Sequence, residues 1–115
     1  MNSTTTGRKA EVAARMYLEM RGYKILEQNF RRPRLEIDIV ASKDDVIYFV
    51  EVKYRHNDDQ GGGFEAITAS KLKQMGYAAN SWIEEYKWGG PYQLAAVELA
   101  GNDFTVVGFI DNVYY

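Results

Sequence analysis

The sequence predicts an α/β domain: a mixed five-stranded sheet flanked by helices, in the order α-β-β-β-α-β-β. Three observations carry this reading. Residues 35–55 contain two runs rich in β-branched and aromatic side chains, joined by the polar stretch Ser42-Lys43-Asp44-Asp45. A segment with apolar residues at helical spacing lies before this hairpin and another lies after it. Two more strand-like runs, residues 93–99 and 104–110, close the chain. At 115 residues the chain makes one domain, residues 1–115, with a single core and no internal repeat.

The first helix is predicted over residues 7–21, capped by Thr6 and preceded by a frayed end over residues 1–5. Ala10, Ala14, Tyr17 and Leu18, with Ala13 beside them, form its apolar stripe, and Gly22 supplies a left-handed stop. Glu11 lies three residues before Ala14 and seven before Leu18, so it shares or borders the buried face. A carboxylate there is either a helix-start residue favoured by the dipole or part of a site.

Residues 23–30 read as the first strand, centred on Ile25 and Leu26. Pro33 breaks it, and Arg31, Arg32 and Arg34 mark a loop entering the hairpin. Three arginines there are either a solvated loop or a clamp on phosphates, whose oxygens a guanidinium matches bidentately.

The hairpin strands span residues 35–41 and 46–55. Glu36, Asp38, Glu51 and Lys53 interrupt their apolar runs. Alternation puts Glu36 with Asp38 on one face and Glu51 with Lys53 on one face. With Asp44-Asp45 at the turn tip, residues whose numbers sum to 89 lie opposite, so Asp38 faces Glu51 and Glu36 faces Lys53. Such neighbours have Cβ atoms roughly 5 Å apart. Two carboxylates this close raise at least one pKa unless a cation sits between them. Converging oxygen ligands suit a hard cation such as Mg²⁺, commonly shared with a phosphate that a nearby lysine also reaches. A surface ion pair between Glu36 and Lys53 is the competing reading. The apolar run from Phe49 to Val52 argues for a covered central strand, where charges are costly without a role.

Residues 56–63 (HNDDQGGG) form a glycine-rich loop, a lid or a plain linker. Thr68 caps a second helix running to about residue 87, with Leu72, Met75, Gly76, Ala79, Ile83 and Tyr86 as its buried stripe. Lys71, in its first turn, is either a surface lysine or a side chain that reaches the acidic hairpin. Trp88-Gly89-Gly90-Pro91 ends this helix, and Gly101-Asn102-Asp103 turns between the last two strands. The helix is a crossover from the hairpin to the next strand, which can pair in parallel.

Composition narrows the function. There is no cysteine and one histidine, His56, which excludes thiolate metal sites, His-based zinc sites and Ser-His-Asp triads. No apolar run approaches the roughly 20 residues of a membrane helix, and the N-terminus lacks the apolar core of a signal peptide, so a cytoplasmic location is expected. The net charge is -2, but residues 1–35 carry +5 and residues 36–115 carry -7. A basic third beside an acidic pocket suits a polyanion held by its backbone and a metal held by carboxylates.

Asp38 followed by Glu51-Val52-Lys53, with a helix before and a crossover helix after, resembles the PD-(D/E)xK nuclease superfamily and its restriction-endonuclease-like fold. More closely, the chain is similar to the YraN family of small bacterial proteins, which resemble archaeal Holliday junction resolvases. The matching residues are Gly7, Glu11, Ala14 and Leu18; Gly22-Tyr23; Asn29-Phe30-Arg31; Glu36-Ile37-Asp38-Ile39; Phe49-Val50-Glu51-Val52-Lys53 with Arg55; and Lys71. The resemblance implies a metal-dependent endonuclease acting on DNA, or a nucleic-acid-binding module of that fold with little catalysis. It implies Mg²⁺ or Mn²⁺ on Asp38, Glu51, the Val52 carbonyl and Glu11, with Glu36 supporting the ligands. Lys53 would orient the attacking water and stabilise charge on the phosphate, making Asp38, Glu51 and Lys53 the catalytic set. Arg31, Arg32, Arg34, Arg55 and Lys71 would contact nucleic acid. Resolvase-like relatives act as dimers because a junction has paired scissile strands, so a homodimer is a further expectation.

Overall fold

The elements follow the expected order: α1 (Ser3–Met20), β1 (Lys24–Arg32), β2 (Leu35–Lys43), β3 (Val46–Arg55), α2 (Ala69–Tyr86), β4 (Tyr92–Ala100) and β5 (Thr105–Ile110). They come from a computed structural model that describes residues 3–56 and 67–113. The glycine-rich loop expected over residues 56–63 falls outside them except for His56. The five strands form one sheet in the order β1-β2-β3-β4-β5, antiparallel throughout except for the parallel pair β3·β4. That parallel pair is the one joined through α2, because parallel neighbours need a crossover. No helix among the described residues is long and apolar enough to cross a membrane.

Each helix covers one face of the sheet. Ala10, Ala14 and Leu18 of α1 pack on Ile39, Ala41, Val50, Ala95, Val97 and Leu99. Ala78, Ala79 and Trp82 of α2 pack on Phe30, Ile37, Val40, Ile47 and Phe49. The small residues on each helix allow close approach to the sheet, while Phe49 meets Trp82 edge-on at 5.6 Å between centroids. β3 is central and apolar on both faces, as its sequence required.

Several boundaries differ from the sequence reading. α1 begins at Ser3, so Thr6 is inside the helix rather than its cap, and Ser3 to Thr5 are helical rather than frayed. Once a helix is nucleated, each further residue adds a hydrogen bond, and nothing in Ser3-Thr4-Thr5 blocks it. Its C-terminus is as expected: Gly22 takes φ 91 and the Tyr23 N–H donates to the Leu18 carbonyl at 3.0 Å. β1 runs on through Arg31 and Arg32, so the turn into β2 is only Pro33-Arg34, with Arg34 at φ 65. The buried residues of α2 are Leu72, Met75, Ala78, Ala79 and Trp82, whereas Tyr86 is 52% exposed. Tyr86 instead stacks on Trp82, with ring centroids 4.6 Å apart. The N-cap of α2 matches expectation, with Thr68 Oγ1 accepting from the Lys71 N–H at 3.1 Å; at the other end Lys87 closes the helix in a left-handed conformation that the sequence reading did not assign.

The hairpin turn is Asp44-Asp45, both residues at positive φ, as a two-residue turn matching the strand twist requires. Its register runs from Lys43↔Val46 to Ile39↔Val50, each pair summing to 89 as predicted. There the β2·β3 ladder stops. β2 continues alongside β1 as far as Leu35, and β3 continues alongside β4 as far as Arg55, so the sheet forks beyond Ile39 and Val50. Ile37 packs on the α2 side and Ile39 on the α1 side, so strict alternation fails at Asp38, the residue in the crotch of the fork.

Candidate functional site

Asp38 fills the gap that the fork opens. Its Oδ2 accepts a hydrogen bond from the Val52 backbone N–H at 2.8 Å, replacing the ladder partner that β3 has lost. Burial pushes the Asp38 carboxyl up to about 7, and the charge on Glu51 adds to the rise. The Val52 N–H pulls it down, while Glu11 and Glu36 raise it further. Asp38 and Glu51 are therefore neighbours, as the hairpin register predicted, although a split in the sheet brings them together rather than a continuous ladder.

The Glu51 side chain is 12% exposed, and its Oε2 lies 3.2 Å from Lys71 Nζ in the first turn of α2. Glu36 is not paired with Lys53. It sits opposite Arg31 across β1·β2, with Arg31 Nε 3.5 Å from Glu36 Oε1, because the fork removes Lys53 from its reach. Lys53 is part-buried and makes no ion pair among the described residues. Glu11, on α1, is part-buried and acts on Asp38 through its charge.

A cleft of about 330 Å³ opens beside the fork, lined by Arg31, Arg32, Arg34, Leu35, Glu36, Lys71, Gln74 and Met75. A narrow recess lined by Glu36, Ile37, Phe49, Val50, Glu51 and Met75 adjoins it. Glu36 and Met75 border both, so the arginine cleft runs towards Glu51. The three arginines are not equivalent. Arg31 pairs with Glu36. Arg32 donates to Glu85 from Nε at 2.9 Å and from a terminal nitrogen, and its guanidinium lies over the Phe30 ring at 4.3 Å. Arg34 is exposed at the turn and makes no ion pair among the described residues.

Arg55 does not line this cleft. Its side chain is 18% exposed, and its Nε lies 3.4 Å from Glu98 Oε2. Glu98, at 4% exposure, is the one buried charged residue among those described, and the sequence reading missed it. A signal was present: Glu98 interrupts the apolar run Ala95-Ala96-Val97…Leu99-Ala100 just as Glu51 interrupts its own. It stands level with Lys53 in the parallel register of β3·β4.

The donor chemistry fits a hard divalent cation. Among the described residues no three Asp, Glu, His or Cys side chains gather into a ligand cage. Mg²⁺ does not need one, since it commonly uses one or two carboxylates and completes its shell with water and phosphate oxygens. Asp38 and Glu51 are such a pair; burial is the first cause of the raised Asp38 proton affinity, and the charge on Glu51 the second.

The sequence profile of the uncharacterised protein family UPF0102 matches residues 10–109. The chain belongs to this family. A UPF0102 protein of Sulfurihydrogenibium sp. (strain YO3AOP1) is 42% identical over 103 residues, covering 89% of this chain and 90% of that protein. A UPF0102 protein of Shewanella denitrificans is 36% identical over 97 residues, covering 84% and 90%. A third, from Chloroherpeton thalassium, is 43% identical over 79 residues, and the match spans 61% of its length. The UPF0102 match takes in Glu11, the whole fork and the arginine turn, so every candidate site residue named above lies within it.

Proposed function

We propose that this UPF0102 protein is a divalent-metal-dependent endonuclease of the PD-(D/E)xK type, hydrolysing phosphodiester bonds of DNA, with branched DNA as the substrate to test first. The observation that carries this reading is the acid pair Asp38–Glu51 in the fork, its proton affinity raised, beside an arginine-lined cleft. Asp38 and Glu51 would hold Mg²⁺ or Mn²⁺, with the Val52 carbonyl as a further donor and Glu11 contributing charge from α1. Bound there, the cation would lower the pKa of a water and neutralise charge developing on the phosphate. Lys53, the part-buried cation two residues beyond Glu51, would orient the attacking water and stabilise the phosphoryl oxygens. Arg34 and Lys71 would meet the nucleic-acid backbone, with Arg31 and Arg32 shaping the cleft wall. Glu36, paired with Arg31, would support that wall. The Arg55–Glu98 pair favours a supporting role for Arg55 over a nucleic-acid contact. The protein would act in the cytoplasm, and a homodimer would match the paired scissile strands of a junction.

One observation favours a second reading, a nucleic-acid-binding module with little catalysis: Lys71 already neutralises Glu51. Incubating the purified protein with plasmid, linear and four-way-junction DNA in Mn²⁺ separates the two. Cleavage that disappears in Glu51→Ala and Lys53→Ala supports the nuclease. Binding without cleavage selects the module, and no metal-sensitive binding of any nucleic acid sinks both.

A further inference from the structure

Lys71 belongs to two places at once. Its Nζ is 3.2 Å from Glu51 Oε2, and its side chain lines the arginine cleft. Its backbone is anchored, because its N–H donates to the Thr68 cap in the first turn of an 18-residue helix with a buried inner face. The movable part is therefore the flexible four-carbon stem and its ammonium. Two other cations of the cleft are engaged, Arg31 by Glu36 and Arg32 by Glu85.

We propose that Lys71 is an exchangeable counter-ion. It neutralises Glu51 while the acid pair holds no divalent cation, and it passes to a backbone phosphate in the arginine cleft when a cation takes Glu51. This inference rests on the metal-site reading given above. An ammonium at 3.2 Å competes directly with a cation for the same oxygen, so cation binding and phosphate binding become linked through one side chain. Linkage is reciprocal: nucleic acid that captures Lys71 also exposes Glu51 to the cation. Lys71 thereby suppresses occupation of the acid pair by stray cations until a phosphate backbone is in place.

The test compares wild type with Lys71→Met. Calorimetric titration of Mn²⁺ into each protein without DNA reads the first half of the exchange. The variant should bind about three- to fivefold more tightly, the gain expected from removing a partly buried competing ion pair. Binding of a short DNA duplex as a function of salt reads the second half. Without divalent cation the two salt slopes should differ by less than one contact, because Glu51 competes with the phosphate for Lys71. In fixed Ca²⁺ the slope of log affinity against log salt should be steeper in wild type by about 0.9, one phosphate contact. Equal Mn²⁺ affinities overturn the exchange and leave the metal site standing. A difference in salt slope between the two proteins that is the same with and without Ca²⁺ makes Lys71 a plain phosphate contact and also overturns it. Absence of Mn²⁺ binding in both proteins overturns the exchange and the metal-site reading together.

Discussion

The Asp38 carboxylate accepts the Val52 backbone N–H at 2.8 Å, at the point where β2 and β3 part. A ladder hydrogen bond between two backbones has been replaced by one from backbone to side chain. The exchange terminates the pairing without orphaning a buried N–H, and it fixes a carboxylate beside Glu51. The same contact opens the fork and aims its central acid.

This placement makes stability depend on pH in an unusual direction. The Asp38 pKa rises from 3.8 to about 7 on folding, chiefly through burial and then through Glu51. Between these values the folded state keeps a proton that the unfolded state has released, so stability falls as pH rises from about 4 to about 7. Allowing for solvent around a part-buried group, the loss is on the order of 2–3 kcal/mol. Urea denaturation in EDTA across this range should show it. Asp38→Asn keeps an acceptor for the Val52 N–H and removes the charge, so the decline should vanish and the variant should exceed wild type at pH 8. A wild-type profile that climbs over this window would falsify the assignment.

Glu51→Ala and Lys53→Ala should separate metal binding from chemistry. Losing Glu51 takes one carboxylate from a site with two, so Mn²⁺ affinity should collapse. Metal-free stability at pH 8 should hold or rise, because relief of the repulsion with Asp38 outweighs a Lys71 pair worth at most about 1 kcal/mol. Lys53→Ala should keep Mn²⁺ binding, tightened if changed at all, and lose phosphodiester cleavage. Calorimetry with thermal melts decides; similar small stability effects and no effect on metal would return Glu51 and Lys53 to ordinary surface-charge roles.

How much of this was legible beforehand follows from where local rules apply. β3 is predicted to the residue, and the 89-sum register holds through Ile39↔Val50, because a two-residue turn dictates pairing by counting. Thr68 is legible as a cap because its hydroxyl acts three residues away. The Glu36–Lys53 pairing fails because the fork is a tertiary event: nothing within β2 says that its partner leaves after Ile39. Trp82 escaped the α2 stripe for a related reason. Its burial depends on Phe49 and Phe30 across the sheet, while its indole N–H finds Glu27 at 3.1 Å.

The arginines of the β1–β2 turn should contribute unequally to nucleic-acid binding. Arg32 is held by Glu85 and Arg31 by Glu36, whereas Arg34 projects from the turn. Arg34→Ala should weaken DNA binding and flatten its salt slope by about 0.9. Arg32→Ala should act mainly on stability, with a small loss, through the lost Glu85 pair and the lost packing over Phe30. Equal salt slopes in wild type and Arg34→Ala would remove this turn from the binding surface.

The Arg55–Glu98 pair gives the last prediction. Glu98 is 4% exposed on β4, and Arg55 is its nearest cation, at 3.4 Å. The contact lacks hydrogen-bond geometry at Glu98 Oε2, so its attraction is mainly charge on charge in a poorly solvated place. Opposite Glu98 on β5 stands Gly108, which brings no side chain to help. Arg55→Met leaves a buried carboxylate on the β4 face that carries Ala96 and Ala100, with Lys53 level on the next strand. The cost should be on the order of 2–4 kcal/mol, and Glu98→Leu should cost less because Arg55 is the more exposed partner. The double variant Arg55→Met/Glu98→Leu should recover most of the loss, since replacing both charges with apolar groups removes the desolvation penalty together with the attraction. Urea denaturation of the four proteins closes the cycle. A strongly non-additive result shows the pair acting as a unit. Additive losses would mean that Glu98 answers to another partner, with Lys53 the first to examine by repeating the cycle in Lys53→Met.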